Sequence, residues 1–278
     1  MYLYLAFYFL LGLVVGSFLN VCIYRLPRHE SIVFPGSHCP ECGHAVRPYD
    51  NIPVLSYLWL LGKCRNCGKP IPLRYPAVEL LTGVAFFSCA FTWNFTAPSF
   101  LNSVFLAAII VLVFIDYQHQ ILPNVLTIPG AAVGILLSPF QAANLYGDVV
   151  SYSIATALLG DDAERILPWV GSIFGALVGG GLLLVVGLVY RFTRKRQGLG
   201  LGDVKMMAMV GAFLGWRLAL LTIFFGSFIG SVIGLFLILF RGKNLQHRLA
   251  FGTLLGAAAV SALFFGLPVI DWYTSSRR

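Results

Sequence analysis

Residues 1–24 read MYLYLAFYFLLGLVVGSFLNVCIY, and this apolar run ends at Arg25-Leu26-Pro27-Arg28. A helix needs about 20 consecutive apolar residues to cross the hydrocarbon core of a bilayer. No basic region precedes the run and no small-residue cleavage site follows it, so it predicts a transmembrane helix rather than a cleaved signal peptide. Because Lys and Arg collect in cytoplasmic loops, the basic residues after the run predict an N-terminus on the outer side.

The whole chain has the composition of a membrane protein. Of its 278 residues, 58% are hydrophobic and 11% are charged, whereas a soluble domain is about 25% charged. The mean hydropathy of +0.83 agrees. These values exclude a disordered chain, a soluble enzyme and a secreted disulfide scaffold, and they predict an all-α polytopic membrane protein. The net charge of +8 indicates membrane topology and contact with membrane lipids rather than a nucleic-acid partner.

Further apolar runs bring the prediction to about eight transmembrane helices. They lie near residues 1–24, 77–97, 101–116, 121–140, 169–190, 206–215, 218–240 and 249–270. Residues 25–76 form the one segment long and polar enough for a small extramembrane domain, and residues 77–278 form the membrane core. With the N-terminus outside, the loops assigned to the cytoplasm hold 15 of the 19 basic residues, which supports this count and places residues 25–76 in the cytoplasm.

Four of the six cysteines predict a zinc site in this cytoplasmic segment. Cys39 and Cys42 form one CxxC pair, Cys64 and Cys67 form another, and 21 residues separate the two pairs. Two such pairs, each followed by a glycine, are typical of a tetrahedral four-cysteine site. A site with four thiolate ligands is closed to water, so its predicted role is structural. Two disulfides or free thiols are the alternatives, and a cytoplasmic location disfavours the disulfides.

Two aspartates at the predicted membrane edge are candidates for chemistry. Asp116 ends the apolar run 111–115, and Asp203 follows the glycine-rich loop 198–202 and begins the next span. They are 87 positions apart in sequence but level in predicted depth. Two carboxyl groups that face each other do not both ionise easily, so one keeps a proton while the other can take one from water. Such a pair can hydrolyse a peptide bond without a metal or a covalent intermediate.

Other residues support the Asp203 assignment, although structural interpretations remain open. Gly200 and Gly202 remove side chains where a substrate backbone can approach, and Lys205 can balance charge or orient the loop. The alternatives are that Asp203 caps the following helix and that Asp116 only marks the membrane edge.

At these residues the sequence resembles the bacterial type IV prepilin peptidases, a family of membrane-embedded aspartic proteases that are also called leader peptidases/N-methyltransferases. The similar motifs are Gly16–Pro27, Asp50–Tyr57, Arg74-Tyr75-Pro76 with Glu79, Leu122-Pro123-Asn124 after Asp116, and the GxGDxK motif Gly200–Lys205. The resemblance covers most of the chain. One departure is visible near the last span, where the family often has Phe-Gly-Pro and this chain has Phe251-Gly252-Thr253.

The resemblance implies a function, a substrate class and a location. Members of the family cut the basic leader from type IV prepilins and from the pseudopilins of type II secretion, at the cytoplasmic edge of the bacterial inner membrane. Asp116 and Asp203 would be the catalytic pair, and residues 77–278 the peptidase core. Many members also methylate the new N-terminus with S-adenosylmethionine, an activity linked to the N-terminal part of the chain.

The methyl-transfer site and the function itself have alternatives. Glu79 is a candidate for methyl transfer, but it can equally be a partner of Arg74 at the membrane edge. Intramembrane acids also occur in a transporter or ion relay, although such proteins have acids near mid-membrane and repeated halves. A non-enzymatic assembly scaffold that docks through the zinc loop is a third possibility.

Overall fold

A computed structural model describes residues 2–194, 199–241 and 250–276. Within these ranges the chain is helical and contains no strand, apart from two isolated bridges that pair His38 with Ala45 and Lys63 with Pro70. Nine α-helices are described: α1 Tyr2–Arg25, α2 Leu55–Trp59, α3 Arg74–Trp93, α4 Ala97–His119, α5 Asn124–Leu136, α6 Val149–Leu159, α7 Ala163–Arg194, α8 Leu201–Arg241 and α9 Phe251–Ser275. The membrane topology predicted from the sequence also depends on basic residues that lie outside the described ranges, namely Lys195, Arg196, Lys243, Arg248, Arg277 and Arg278.

The all-α polytopic membrane fold is confirmed. Six helical segments of the described chain are long and apolar enough to cross a membrane: 2–28, 74–93, 97–119, 149–194, 201–236 and 251–275. The prediction of about eight counted two more helices. One is α5, which has 13 residues and is shorter than the about 20 that a span needs. The other is counted because the sequence predicts two spans, 206–215 and 218–240, where the structure has the single helix α8. The division between the two predicted spans falls at the kink of α8 at Gly215.

The described chain divides into two compact units, residues 1–111 and 112–278. In the first unit α1 packs along α3, and glycines on α1 allow the close approach. A Cβ atom on Gly12 would lie 2.7 Å from the Thr82 carbonyl oxygen, and one on Gly16 would lie 2.7 Å from the Glu79 Cα atom. Small residues at such crossings let the helix backbones make close van der Waals contact in lipid.

In the second unit α7 packs against the first half of α8, again through glycines. A Cβ atom on Gly175 would collide with the Gly211 carbonyl oxygen, and one on Gly179 would lie 2.5 Å from the Met207 carbonyl oxygen. The side chains of Met206 and Met207 are fully buried beside this crossing. The packing holds the segment that carries Asp203 at a defined position along α7.

The kink in α8 has a local cause and local compensation. Gly215 has φ +77°, a backbone conformation that glycine adopts without the cost of a Cβ clash. Beside the kink, the Tyr146 hydroxyl lies 2.8 and 3.0 Å from the Ala212 and Phe213 carbonyl oxygens and can donate its proton to either. The Ser172 hydroxyl donates to the same Ala212 oxygen at 2.7 Å. These hydrogen bonds give buried carbonyl groups beside the kink side-chain donors from outside α8.

Candidate active site and metal centre

The four cysteines of the two CxxC pairs come together in the first unit. Their sulfur atoms all lie within 4.8 Å of one another, and those of Cys39 and Cys67 are 3.9 Å apart. This spacing suits ligands of one shared ion, because a disulfide would bring two sulfurs to about 2.05 Å. Cys39, Cys42, Cys64 and Cys67 can therefore hold a metal ion, and four sulfur donors are the set that tetrahedral zinc prefers.

The two CxxC segments have the same backbone geometry. In the first, the Gly43 N–H donates to the Cys39 oxygen and the Cys39 N–H donates to the His44 oxygen, both at 2.9 Å. In the second, the Gly68 N–H donates to the Cys64 oxygen and the Cys64 N–H donates to the Lys69 oxygen, again both at 2.9 Å. Both glycines have positive φ values, of +68° and +70°. Each pair thus forms a turn that directs two sulfurs to one point.

Backbone groups around the cluster favour thiolates, the form that binds metal. Hydrogen bonds from the backbone of Cys67 and Asn66 lower the pKa of the Cys64 thiol to about 7. A hydrogen bond from the His44 backbone is the main cause of the lowered pKa of Cys42. These N–H donors partly neutralise negative charge on the sulfurs of Cys42 and Cys64, whereas the neighbouring sulfurs raise the pKa of Cys67.

An ion pair and a set of hydrogen bonds to backbone oxygens fix the loop that carries the cluster. Arg65, next to Cys64, binds both carboxylate oxygens of Asp50 at 2.7–3.1 Å, and this contact lowers the pKa of Asp50. At the other end, the Arg25 guanidinium donates to the Ser31, Pro35 and Gly36 oxygens at 2.7–3.2 Å. Arg25 is 5% exposed, so a buried cation anchors the first turn of the loop.

Glu79 on α3 also anchors the loop. Its carboxyl group is largely buried and accepts the Val54 N–H at 2.8 Å, and it is also hydrogen-bonded to the Ser17 side chain on α1. Val54 has φ +62°, a strained value for a β-branched residue. Glu79 thus joins α1, α3 and a strained point of the loop.

In the second unit, Asp116 lies in the last turn of α4 and is 5% exposed. Its Oδ2 atom accepts two hydrogen bonds from Thr253, one from the backbone N–H at 2.7 Å and one from the hydroxyl at 3.0 Å. The neighbouring Gly252 is buried, and a Cβ atom there would lie 3.0 Å from the same oxygen. The start of α9 therefore holds this carboxyl group tightly.

Asp203 lies in the first turn of α8, and its carboxyl group interacts electrostatically with that of Asp116. The backbone of Gly200 is hydrogen-bonded to the Asp203 carboxyl group. Leu122 borders both parts of the site, because Cβ atoms on Gly202 and Gly252 would each lie 3.0 Å from it. The fold thus brings the two predicted aspartates together, with small residues beside each of them.

Lys205 connects the helices beside the pair. Its Nζ atom donates to the Asn124 Oδ1 atom at 2.8 Å, which joins the beginning of α8 to the beginning of α5. Of the two roles considered for Lys205, this contact corresponds to orienting the loop.

Thr253 is a contact that the sequence interpretation missed. Its motif was noted only as a departure from the family pattern, and 137 positions separate it from Asp116. The signal available was the first turn of a predicted span, where unpaired backbone N–H groups attract a carboxylate.

The fold and this site define a multi-pass membrane protein with a buried and a half-buried carboxyl group close together, and with a separate four-cysteine cluster. Two family profiles match the chain: the Bacterial Peptidase A24 N-terminal domain over residues 10–93, and the Type IV leader peptidase family over residues 103–235. The predicted resemblance is confirmed, and the chain belongs to the type IV leader peptidase family.

Curated relatives agree with this assignment. A protein of Aeromonas hydrophila is 33% identical over 99% of this chain and 95% of its own length. One of Pseudomonas aeruginosa is 34% identical over 95% and 91%. A third, of Myxococcus xanthus, is 42% identical over 87% of this chain, and the matched region covers 65% of the length of that relative. All three are named prepilin leader peptidase/N-methyltransferase. No solved structure matches the chain.

Proposed function

We propose that the chain is an aspartic endopeptidase that removes the basic leader from type IV prepilins and type II secretion pseudopilins. The observation that carries the proposal is that Leu122 lies against both Gly252, which adjoins the Asp116 carboxyl group, and Gly202, which precedes Asp203. The two carboxyl groups are close enough to interact electrostatically. The names of the relatives support the substrate class. They favour this activity over a transporter, an ion relay or a non-enzymatic scaffold.

The chemistry requires one ionised and one protonated carboxyl group. The ionised carboxylate takes a proton from water, and the water oxygen forms a bond to the scissile carbonyl carbon. The carbonyl oxygen receives a proton from the protonated partner, which gives a tetrahedral diol. The first carboxyl group then passes its proton to the amide nitrogen, the C–N bond breaks, and one diol hydroxyl returns a proton to the partner. The pair ends in its starting state with one water consumed.

The surroundings of the pair suit a peptide substrate. Gly200 and Gly202 place no side chains of their own beside Asp203, and Lys205 holds α8 against Asn124. The predicted topology puts both aspartates at the cytoplasmic edge of the bacterial inner membrane, where a prepilin passes from its basic leader into its hydrophobic helix. This location follows from the distribution of basic residues.

The cysteine cluster is proposed to hold a structural zinc ion. The ligands would be Cys39, Cys42, Cys64 and Cys67. Because four thiolates leave no position for water, the role of the zinc would be structural, and its binding would stabilise the folded loop. Methylation of the new N-terminus with S-adenosylmethionine is proposed from the names of the relatives. Glu79 remains a candidate for that activity, and its bonds to Val54 and Ser17 favour a role in shaping the loop.

The test is cleavage of a purified prepilin by the purified chain in lipid nanodiscs, read by mass spectrometry with and without methyl donor. Asp116→Asn and Asp203→Asn should each lower the cleavage rate by at least about a thousandfold, because removing one member of a catalytic group that acts as a unit removes most of its effect. Asp161→Asn is the matched control, since Asp161 is exposed, and it should cleave normally. Full activity in either pair variant would refute the assignment, and proton flux in proteoliposomes would favour the ion relay.

A further inference from the structure

The two carboxyl groups of the proposed catalytic pair have different surroundings. Both hydrogen bonds that Thr253 gives to Asp116 are received by Oδ2. Thr253 is the third residue of α9, and the residue before the helix, Ala250, provides no side-chain cap. The Asp116 carboxyl group therefore caps α9 from a different helix, and it lies at the positive end of that helix dipole.

The Thr253 hydroxyl has two possible acceptors, and its single proton can serve only one at a time. Its Oγ1 atom lies 3.0 Å from Asp116 Oδ2 and 3.3 Å from the Val113 carbonyl oxygen. The nearer acceptor gives the stronger bond when it is ionised, because hydrogen bonds to charged groups are shorter and stronger than neutral ones. The hydroxyl and the backbone N–H together favour negative charge on Asp116.

Asp203 has weaker support for a charge. It also lies in the first turn of a helix, so the dipole of α8 acts on it as that of α9 acts on Asp116. Among the described residues, Asp203 is hydrogen-bonded by the Gly200 backbone, whereas Asp116 receives two hydrogen bonds from Thr253. The difference between the two carboxyl groups is therefore the second donor, the Thr253 hydroxyl.

We propose that Thr253 is a positioning residue that keeps the negative charge of the pair on Asp116 and leaves the shared proton on Asp203. Because Oδ2 is engaged by Thr253, Oδ1 of Asp116 is the atom that takes the proton from water, and Asp203 protonates the carbonyl oxygen. The inference rests on the proposed peptidase activity and adds which aspartate is ionised and which is protonated. Thr253 lies beyond residue 235, where the match to the family profile ends.

Kinetics of three variants test the positioning role. Thr253→Val removes the hydroxyl and keeps the shape and the N–H, and it should lower kcat by about tenfold to a hundredfold, the worth of one hydrogen bond to a charged group. KM should stay within about twofold, because the hydroxyl contacts Asp116 rather than the substrate. Thr253→Ser keeps both donors and should restore kcat. Thr274→Val is the matched control on the same helix, since its exposed hydroxyl bonds only its own helix, and its kcat should be unchanged.

A second measurement needs no substrate and separates this inference from the peptidase proposal. Infrared difference spectra of the full chain in nanodiscs detect the C=O stretch of a protonated carboxyl group. At neutral pH this band should disappear in Asp203→Asn and persist in Asp116→Asn. In Thr253→Val, part of the signal should move to Asp116.

Each outcome supports or overturns the inference. If the protonated band persists in Asp203→Asn and is lost in Asp116→Asn, the proton belongs to Asp116. That result would overturn the proposal even if the chain cleaves prepilins. A Thr253→Val variant with normal kcat would also overturn it. If the wild-type chain does not cleave but the band pattern is as expected, the assignment of the proton stands and only the peptidase proposal fails.

Discussion

At the scale of single residues, the site depends as much on absent side chains as on carboxyl groups. Gly252 lies against the Asp116 carboxyl group, and both Gly252 and Gly202 lie against the side chain of Leu122. Hydrogen bonds from Thr253 fix Asp116 at this point. A catalytic carboxyl group must be held within a fraction of an ångström of its working position, so this backbone leaves no room for an added methyl group.

Gly252→Ala is therefore expected to impair catalysis without unfolding the protein. The new Cβ atom would lie 3.0 Å from Asp116 Oδ2 and 3.0 Å from a methyl carbon of Leu122, so these neighbours must give way by a few tenths of an ångström. Because a misplacement of about 1 Å costs about a hundredfold, we expect this smaller shift to lower kcat for prepilin cleavage by about tenfold. Gly181→Ala is the control, because nothing lies within 4 Å of a Cβ atom there. Equal activity of both variants would show that Asp116 tolerates the displacement.

At the scale of helices, the kink of α8 ends the segment that carries Asp203. Gly215 interrupts the helix, and Tyr146 and Ser172 are hydrogen-bonded to carbonyl groups beside the interruption. The short segment before the kink packs on α7 through glycines and carries Asp203 at its start. A change at the kink thus acts on the fold first and on the active site through it.

Tyr146→Phe tests the contribution of these hydrogen bonds. The substitution removes a fully buried hydroxyl that lies within hydrogen-bonding distance of the Ala212 and Phe213 carbonyl oxygens. Losing a buried hydrogen bond costs about 0.5–1.5 kcal/mol, so the thermal unfolding midpoint in detergent should fall by a few degrees. Tyr190→Phe, on an exposed part of α7, serves as the reference. If both variants unfold at the wild-type temperature, the kink does not depend on the hydroxyl.

Hydropathy and local spacing predicted the helices but not all of their contacts. The apolar runs identified the membrane helices because the bilayer imposes a length and a composition on each span. The CxxC pairs predicted their own turns because four residues and a glycine determine that geometry. The contact between Asp116 and Thr253 spans 137 positions, and it depends on how helices pack in lipid, where small residues at scattered positions determine the approach. The first turn of the predicted span indicates that its N–H groups need an acceptor, but no local pattern identifies Asp116 as that acceptor.

At the scale of the whole molecule, the chain keeps its two kinds of chemistry in separate units. The sulfur cluster lies in residues 1–111 and the carboxyl pair in residues 112–278. The two family profiles also match the chain separately, over residues 10–93 and 103–235. Each unit has its own glycine-mediated helix packing. The folding of one site should therefore not require the chemical groups of the other.

Variants at the two sites should accordingly have separable effects. Cys64→Ser removes one of four zinc ligands, and since structural zinc contributes about 10–16 kcal/mol to the folding of small zinc-binding peptides, the loop between α1 and α3 should lose both metal and protease resistance. Asp203→Asn should keep one zinc per chain, measured by elemental analysis, and a protease-resistant loop while cleavage is abolished. Cys22→Ala controls for loss of any thiol, because Cys22 is buried on α1 away from the cluster. A loop that resists protease equally well without zinc would contradict the structural role, because the ion pair of Asp50 with Arg65 and the anchors at Arg25 and Glu79 would then suffice to fold it.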